Sequence, residues 1–272
     1  MAAVCGDDGA MGLKVKGSGF KPFLIMMALV SVPCSLILME PDLGTTLTLV
    51  PASLIIMFVA RIWRRGLVSI VSIGVVAAMT VIAAVYEAER PGVPRERRER
   101  ILKFLPLQSH QVKRVKVFLF PDEDIQSSGY NLRQSKISIG SGGFRGQSSA
   151  AGSSDKRVSF LPKSISMNDF IFCVYAERRG YVGSLVLLGF FAALLLPICW
   201  IAFVAADGGG RLLSLGVAML LFAHVYINIA MAIGLVPITG LPLPFISSGR
   251  TFLIVAICAL GLVQSVSVYR DN

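Results

Sequence analysis

The stretch YVGSLVLLGFFAALLLPICWIAFVA, from Tyr181 to Ala205, carries no charged side chain. At a rise of ~1.5 Å per residue, a helix of this length reaches past the roughly 30 Å of hydrocarbon in a bilayer. Five further apolar runs flank it: Phe20 to Met39, Thr45 to Ile62, Gly66 to Tyr86, Leu212 to Val236 and Thr251 to Val268. The pattern predicts an all-α polytopic membrane protein of about six transmembrane helices, with one large loop between the third and fourth spans.

Composition supports this reading. The 272 residues are 54% hydrophobic and 15% charged, against roughly a quarter charged in soluble domains, and mean hydropathy is +0.71. Cys5, Cys34, Cys173, Cys199 and Cys258 are scattered singly, so neither a disulfide framework nor a zinc site is expected. Residues 1–19 are polar and Gly-rich and the first apolar run is of spanning length, which argues against a cleavable signal peptide. The net charge of +10 resides mainly in cations between spans. Contact with lipid headgroups or a phosphorylated lipid substrate fits that placement better than nucleic acid does.

Basic residues in short loops set orientation. Arg61, Arg64 and Arg65 between the second and third spans, together with Lys14, Lys16 and Lys21, place those regions in the cytoplasm. The resulting division is a polar segment 1–19, three spans in 20–86, an extracytoplasmic loop 87–170 and three spans in 171–272. The stretch from Arg90 to Lys116 is crowded with cations and sits awkwardly outside, although the rule loses force in loops longer than about 60 residues. This first part of the loop reads as helical, Gly129 to Gly146 is Gly- and Ser-rich, Ser148 to Arg157 reads as mobile, and Phe160-Leu-Pro162 restarts order.

Ionisable residues at membrane depth are functional candidates by default, and three segments qualify. In Glu40-Pro41-Asp42-Leu43-Gly44-Thr45, two carboxylates lie between two apolar runs, with Asp42 also suited to cap the second span. In Asn168-Asp169-Phe170 through Glu177, an acid opens an apolar helical stretch; site and N-cap are equally open for Asp169. Gly240-Leu-Pro242-Leu-Pro244-Phe-Ile-Ser247-Ser-Gly249 is irregular backbone within apolar sequence, tolerated at membrane depth only when buried in protein or lining a cavity. It reads as a re-entrant turn. The Gly140-Ser-Gly-Gly143 cluster lacks the Lys of a P-loop and reads as a flexible turn. His110 and His224 read as structural.

These segments, with Gly129-Tyr-Asn-Leu-Arg-Gln-Ser-Lys-Ile-Ser-Ile-Gly-Ser-Gly-Gly143, Phe160-Leu-Pro162 and Asn228 through Gly249, occur in the order found in the shape, elongation, division and sporulation family. The chain resembles that family, and its Gly129 block is nearer the RodA branch than the FtsW branch. The resemblance implies a bacterial inner-membrane glycosyltransferase that polymerises lipid II into peptidoglycan during cell elongation, alongside a class B penicillin-binding transpeptidase. Members have about ten spans, so the match lies with their C-terminal part.

By the same resemblance, Asp169 matches the acid thought essential for polymerisation and is the candidate general base. Glu40, Asp42, Gln134, Lys136, Glu177, Pro244 and Ser247 form the candidate substrate-binding set, with Asp42 and Glu177 equally suited to anchoring helices. Arg or Lys residues of the loop are candidate partners of the departing diphosphate. No cofactor is implied firmly; a divalent cation could accompany the diphosphate. The chain departs from the family at Met167-Asn168, where His-Thr is usual, at Glu40 in place of Gln, at Arg178 in place of Glu, and at Ser248-Gly249-Arg250 in place of Tyr-Gly-Gly. A lipid-linked precursor transporter and a non-catalytic scaffold are the competing readings, since broken helices around acids also describe transporters.

Overall fold

The computed structural model describes residues 20–40, 43–60, 62–90, 92–105, 108–121, 128–147 and 169–269. Among these, the regular elements are all helices: α1 (Phe20–Met39), α2 (Leu43–Val59), α3 (Arg64–Ala88), α4 (Arg95–Phe104), α5 (Ser109–Leu119), α6 (Ser128–Ser141), α7 (Ile171–Val204), α8 (Gly208–Ile233) and α9 (Arg250–Tyr269). All six expected spans appear as helices. Five of them, α1, α3, α7, α8 and α9, are long and apolar enough to cross a bilayer. The second expected span, α2, has only 17 residues, or about 25 Å, and lies between α1 and α8 with Thr48, Ala52, Ser53, Ile56 and Met57 buried.

Burial separates centre from periphery. In α8, 44% of the spanning window is buried, against 6% in α3. α8 packs on α2, α6, α7 and α9, whereas α3 presents Val68, Val71, Ile73, Val75, Val76 and Met79 outward, as a lipid-facing helix must. At one end, Phe23, Met26, Ile56, Met57, Ile62, Leu67 and Leu212 form a cluster, with Trp63 set edge-on to Phe20 and Phe23 at 5.4 and 5.1 Å. At the other end, Phe170, Phe172, Leu187, Phe191, Val225, Met231 and Leu243 pack together.

The fourth span differs from the expected start at Tyr181: the helix begins at Ile171 and breaks at Gly180, where φ is 67° and ψ is −165°. The left-handed φ favours glycine at this position. The break frees two N–H groups, and both are satisfied from outside the helix, Tyr181 N–H donating to Gly143 O at 2.9 Å and Val182 N–H to Phe144 O at 3.2 Å. The Gly-rich segment is therefore no free turn. α6 runs to Ser141, and residues 142–146 dock on the break so closely that a Cβ on Gly142 would lie 2.3 Å from Ala176 O, and one on Gly146 would lie 2.2 Å from Arg178 O.

The early part of the long loop is helical as expected, and an acid ties it down. Glu89, its side chain only 4% exposed at the end of α3, pairs with Arg98 of α4 and with Lys116 of α5, Oε2 to Nζ 2.7 Å. Tyr86 stacks on Phe120 at 5.7 Å beside it. The segments expected to be mobile at Ser148 to Arg157 and ordered at Phe160-Leu-Pro162 lie outside the described residues.

The glycine crossing makes a contrast that thermal unfolding in detergent can read. Gly142→Ala must displace backbone, an overpacking that costs about 1–3 kcal/mol, so the midpoint should fall by several degrees. Gly140→Ala, with nothing within 4 Å of its Cβ position and a helical backbone, should be neutral or slightly stabilising. Equal effects of the two substitutions would contradict the docking.

Candidate functional site

The site is organised around one amide inside α8. Asn228 is fully buried, and its Nδ2 donates to the carbonyl of Asp169 at 2.9 Å and to the carbonyl of Leu241 at 2.6 Å. Two carbonyl acceptors require the NH₂ end of the amide at this place. α8 then ends as helices commonly do, with Gly234 in the left-handed region (φ 79°) and Leu235 N–H returning to Ala230 O at 2.7 Å. The loop that follows folds back over the helix end. Thr239 N–H lies 3.2 Å from Met231 Sδ, and Leu241, Leu243 and Pro244 are buried. The Pro/Gly-rich segment is thus packed into protein, as irregular backbone in apolar sequence must be. Phe245 adopts a left-handed φ of 63°, a strained conformation for a bulky residue.

Asp169 stands at the mouth of this arrangement. The N-cap position of α7 is Phe170 and shows no side-chain cap, so Asp169 does not have the capping role its sequence position allowed. Its carboxyl faces Gly240, with Oδ2 3.6 Å from the point where a Cβ on that glycine would sit. Arg114 of α5 supplies the nearby cation and reaches toward Thr239 O, with Nη1 at 3.5 Å. Burial pushes the Asp169 carboxyl above the usual aspartate range, and the Arg114 guanidinium draws it part of the way back.

The α1–α2 turn joins the same place through Gly44, whose Cβ would lie 2.9 Å from both Thr239 O and Leu241 Cγ. Glu40 is exposed at the end of α1, its N–H bonded to Ile37 O. Asp42 lies outside the described residues. Three sequence segments far apart in the chain therefore meet around residues 239–241.

The remaining candidates divide. Pro244 is buried in the loop and Ser247 is half-buried, its N–H bonded to Leu243 O at 3.0 Å. Lys136 sits over the C-terminal end of α8, with Nζ 2.7 Å from the Cβ position of Gly234; there a cation favours the helix dipole. Gln134, on the same helix, has its Oε1 buried and unpartnered among the described residues. Glu177 belongs to the α6–α7 interface, where it is 6% exposed and accepts a hydrogen bond from Ser138 Oγ. Of its two readings, anchoring is the one this contact supports. Ser135 of α6 similarly donates to Ala232 O of α8 at 2.9 Å. His224 bonds Leu220 O through Nδ1 at 3.0 Å and stacks on Phe252 at 4.2 Å, a structural role as expected. Arg250 is exposed at the start of α9, so its bulk meets no helix interface.

Asn228 was not among the candidates read from sequence, and Arg114 was covered only as one of the loop's many cations, any of which could partner the diphosphate. Asn228 carries a readable signal, since an amide within an apolar run is a functional candidate by default. Arg114 carries none, being one cation in a crowded run. No trio of His, Cys, Asp or Glu positioned to hold a metal occurs among the described residues. Chemically, the arrangement offers one half-buried carboxylate that can take a proton and one adjacent guanidinium that can face negative charge.

The family described as cell cycle protein, covering FtsW, RodA and SpoVE, matches residues 13–272. The peptidoglycan glycosyltransferase MrdB of Escherichia coli K12 is 36% identical over 247 residues, which are 90% of this chain and 60% of that protein. A probable peptidoglycan glycosyltransferase FtsW of Trichlorobacter lovleyi is 31% identical, over 94% of this chain and 59% of the relative. The chain thus spans about three-fifths of the length of these relatives. A chain from the structure of a peptidoglycan synthase complex superposes with a TM-score of 0.66 at 28% identity, covering 93% of this chain and 62% of that one. A mutant RodA from Thermus thermophilus shares the fold, with a TM-score of 0.53 at 22% identity over 95% of this chain and 62% of that one. The chain belongs to the FtsW, RodA and SpoVE family of cell cycle proteins, multi-pass membrane proteins of bacteria.

Proposed function

We propose that this protein is a peptidoglycan glycosyltransferase that joins lipid II units into glycan strands, with Asp169 as general base. The observation that carries the reading is the Asp169 carboxyl itself: half-buried, uncapped, held by its own backbone to Asn228 and faced by Arg114 where three separated segments meet. Relatives 36 and 31% identical are named for this activity.

The reaction is displacement at a sugar carbon. The 4-hydroxyl of an acceptor GlcNAc attacks C1 of a MurNAc; the new C1–O bond forms as the bond to undecaprenyl diphosphate breaks, and Asp169 receives the hydroxyl proton. Burial suits the carboxyl to this work, because a base with a raised pKa takes a proton more readily. Arg114 is placed to offset negative charge at the same mouth, and the departing diphosphate needs such a partner. Glu40, Asp42, Gln134, Lys136, Pro244 and Ser247 stand as the substrate-binding set. The partner we infer is a class B penicillin-binding transpeptidase, in line with the synthase complex whose structure this chain matches. We place residues 87–170 outside the cytoplasmic membrane and Arg64 and Arg65 inside, with residues 240–249 re-entering from the outer face.

Sidedness is tested by alkaline phosphatase fused after Ser149, which should be active, and after Arg65, which should not. The opposite pattern inverts the topology. For the chemistry, lipid II polymerisation is measured with protein purified from its native membrane. Asp169→Asn should lower the rate about a hundredfold or more, as loss of a general base does, and leave the thermal midpoint unchanged. The wild-type rate should rise as pH climbs through the raised Asp169 pKa, since only the ionised carboxylate accepts a proton, and this acid limb should lie above the ordinary aspartate value of about 3.9. Retention of more than about a tenth of the activity by the amide variant would remove Asp169 from the mechanism.

A further inference from the structure

The cations between Arg90 and Lys116 are the part of the sequence that the proposed chemistry leaves largely unused. The structure sorts them. Arg98 and Lys116 are taken up by Glu89, and Arg114 faces Asp169. Arg97 and Arg100 are exposed on α4, and no ion pair engages either of them among the described residues. At ~100° per residue, these two share one face of α4 with Ile101 and Phe104, while Arg98 points to the neighbouring face that meets Glu89. A groove of about 480 Å³ runs along that face, lined by Pro94, Glu96, Arg97, Arg100, Ile101 and Phe104, so that two guanidiniums outweigh one carboxylate in its lining. Phe104 is 85% exposed, an exposure that water alone does not favour for a phenyl ring.

Position decides what can fill the groove. α3 has 25 residues, about 37 Å of helix, and so ends past the hydrocarbon, at the headgroup level. Glu89 is the next residue, and its pair with Arg98 holds α4 at that level. A helix lying there with guanidiniums beside apolar side chains matches a molecule with an anionic phosphate next to an acyl chain. We propose that the Arg97–Phe104 face of α4 is a binding site for an anionic phospholipid of the surrounding bilayer, its phosphodiester between Arg97 and Arg100 and its upper acyl chain against Ile101 and Phe104. Bulk phospholipid is the occupant, because Arg114, on a different helix, is the loop cation that stands at Asp169.

The test places the chain carrying Phe104→Trp in nanodiscs. Quenching by phosphatidylglycerol or phosphatidylcholine with brominated acyl chains is recorded as the difference from the parent, which has Trp63 and Trp200. Phosphatidylglycerol should quench at a lower mole fraction than phosphatidylcholine. Adding Arg97→Gln and Arg100→Gln should raise its half-quenching fraction roughly fivefold per arginine, whereas Arg64→Gln with Arg65→Gln, an equal loss of charge elsewhere, should leave it in place. Native mass spectrometry of the chain with Phe104 intact gives a second readout: retained phosphatidylglycerol should fall only in the Arg97/Arg100 variant. Equal quenching by both lipids, an equal loss in the Arg64/Arg65 control, or displacement by millimolar inorganic phosphate would each overturn the site.

Discussion

A buried amide in an apolar helix must find partners, because an unmatched polar group at membrane depth costs several kcal/mol. The Nδ2 of Asn228 finds two of them, the carbonyls of Asp169 and Leu241, while its Oδ1 is buried without a partner among the described residues; the two carbonyls belong to segments that nothing in local sequence would bring together. The amide makes α8 the reference for the whole site. The turn before α7 is held on one side and the loop after α8 on the other, and through that loop the α1–α2 turn is packed at Gly44. The side chain of Asp169 is then aimed by its own backbone, leaving the carboxyl free of the capping work that its place before a helix would otherwise impose.

A second constraint stabilises this frame from the side. Glycine at 142, 146 and 180 allows the end of α6 and the break in α7 to approach at backbone distance, and the two N–H groups released by the break are returned to carbonyls of the crossing segment. Ser135 and Ser138 lock the same helix to Ala232 and Glu177. The described part of the long loop around α6 is therefore part of the packed protein, and Glu89 does the equivalent for α4 and α5 with a single buried carboxylate between two cations.

Hydropathy made the helices legible, since every spanning helix repeats an apolar run that composition alone reveals. Pro and Gly between runs marked two of the segments that meet at the site, and an acid before an apolar stretch marked Asp169. What sequence could not show is pairing. Nothing distinguishes Arg114 from Lys113, or Arg98 from Arg97, until the helices are placed, because neighbours in a charge run differ only in which face they occupy. The break at Gly180 was hidden for a related reason: one glycine at the head of an apolar run reads as a helix start, and its partners lie on another helix. The end of α2 was placed three residues too late because Ala60 and Ile62 continue its apolar pattern beyond Val59, the last helical residue.

The claim that most needs a direct test is that Asn228 holds Asp169 in its working place. The measurement is lipid II polymerisation at saturating substrate by protein carrying Asn228→Ala, purified from its native membrane and checked for monodispersity and thermal midpoint. Turnover should be lower by about tenfold or more, since loss of positioning around a reacting group costs on that scale, with the KM for lipid II unchanged and the protein folded. Wild-type turnover in a folded Asn228→Ala protein would contradict the claim.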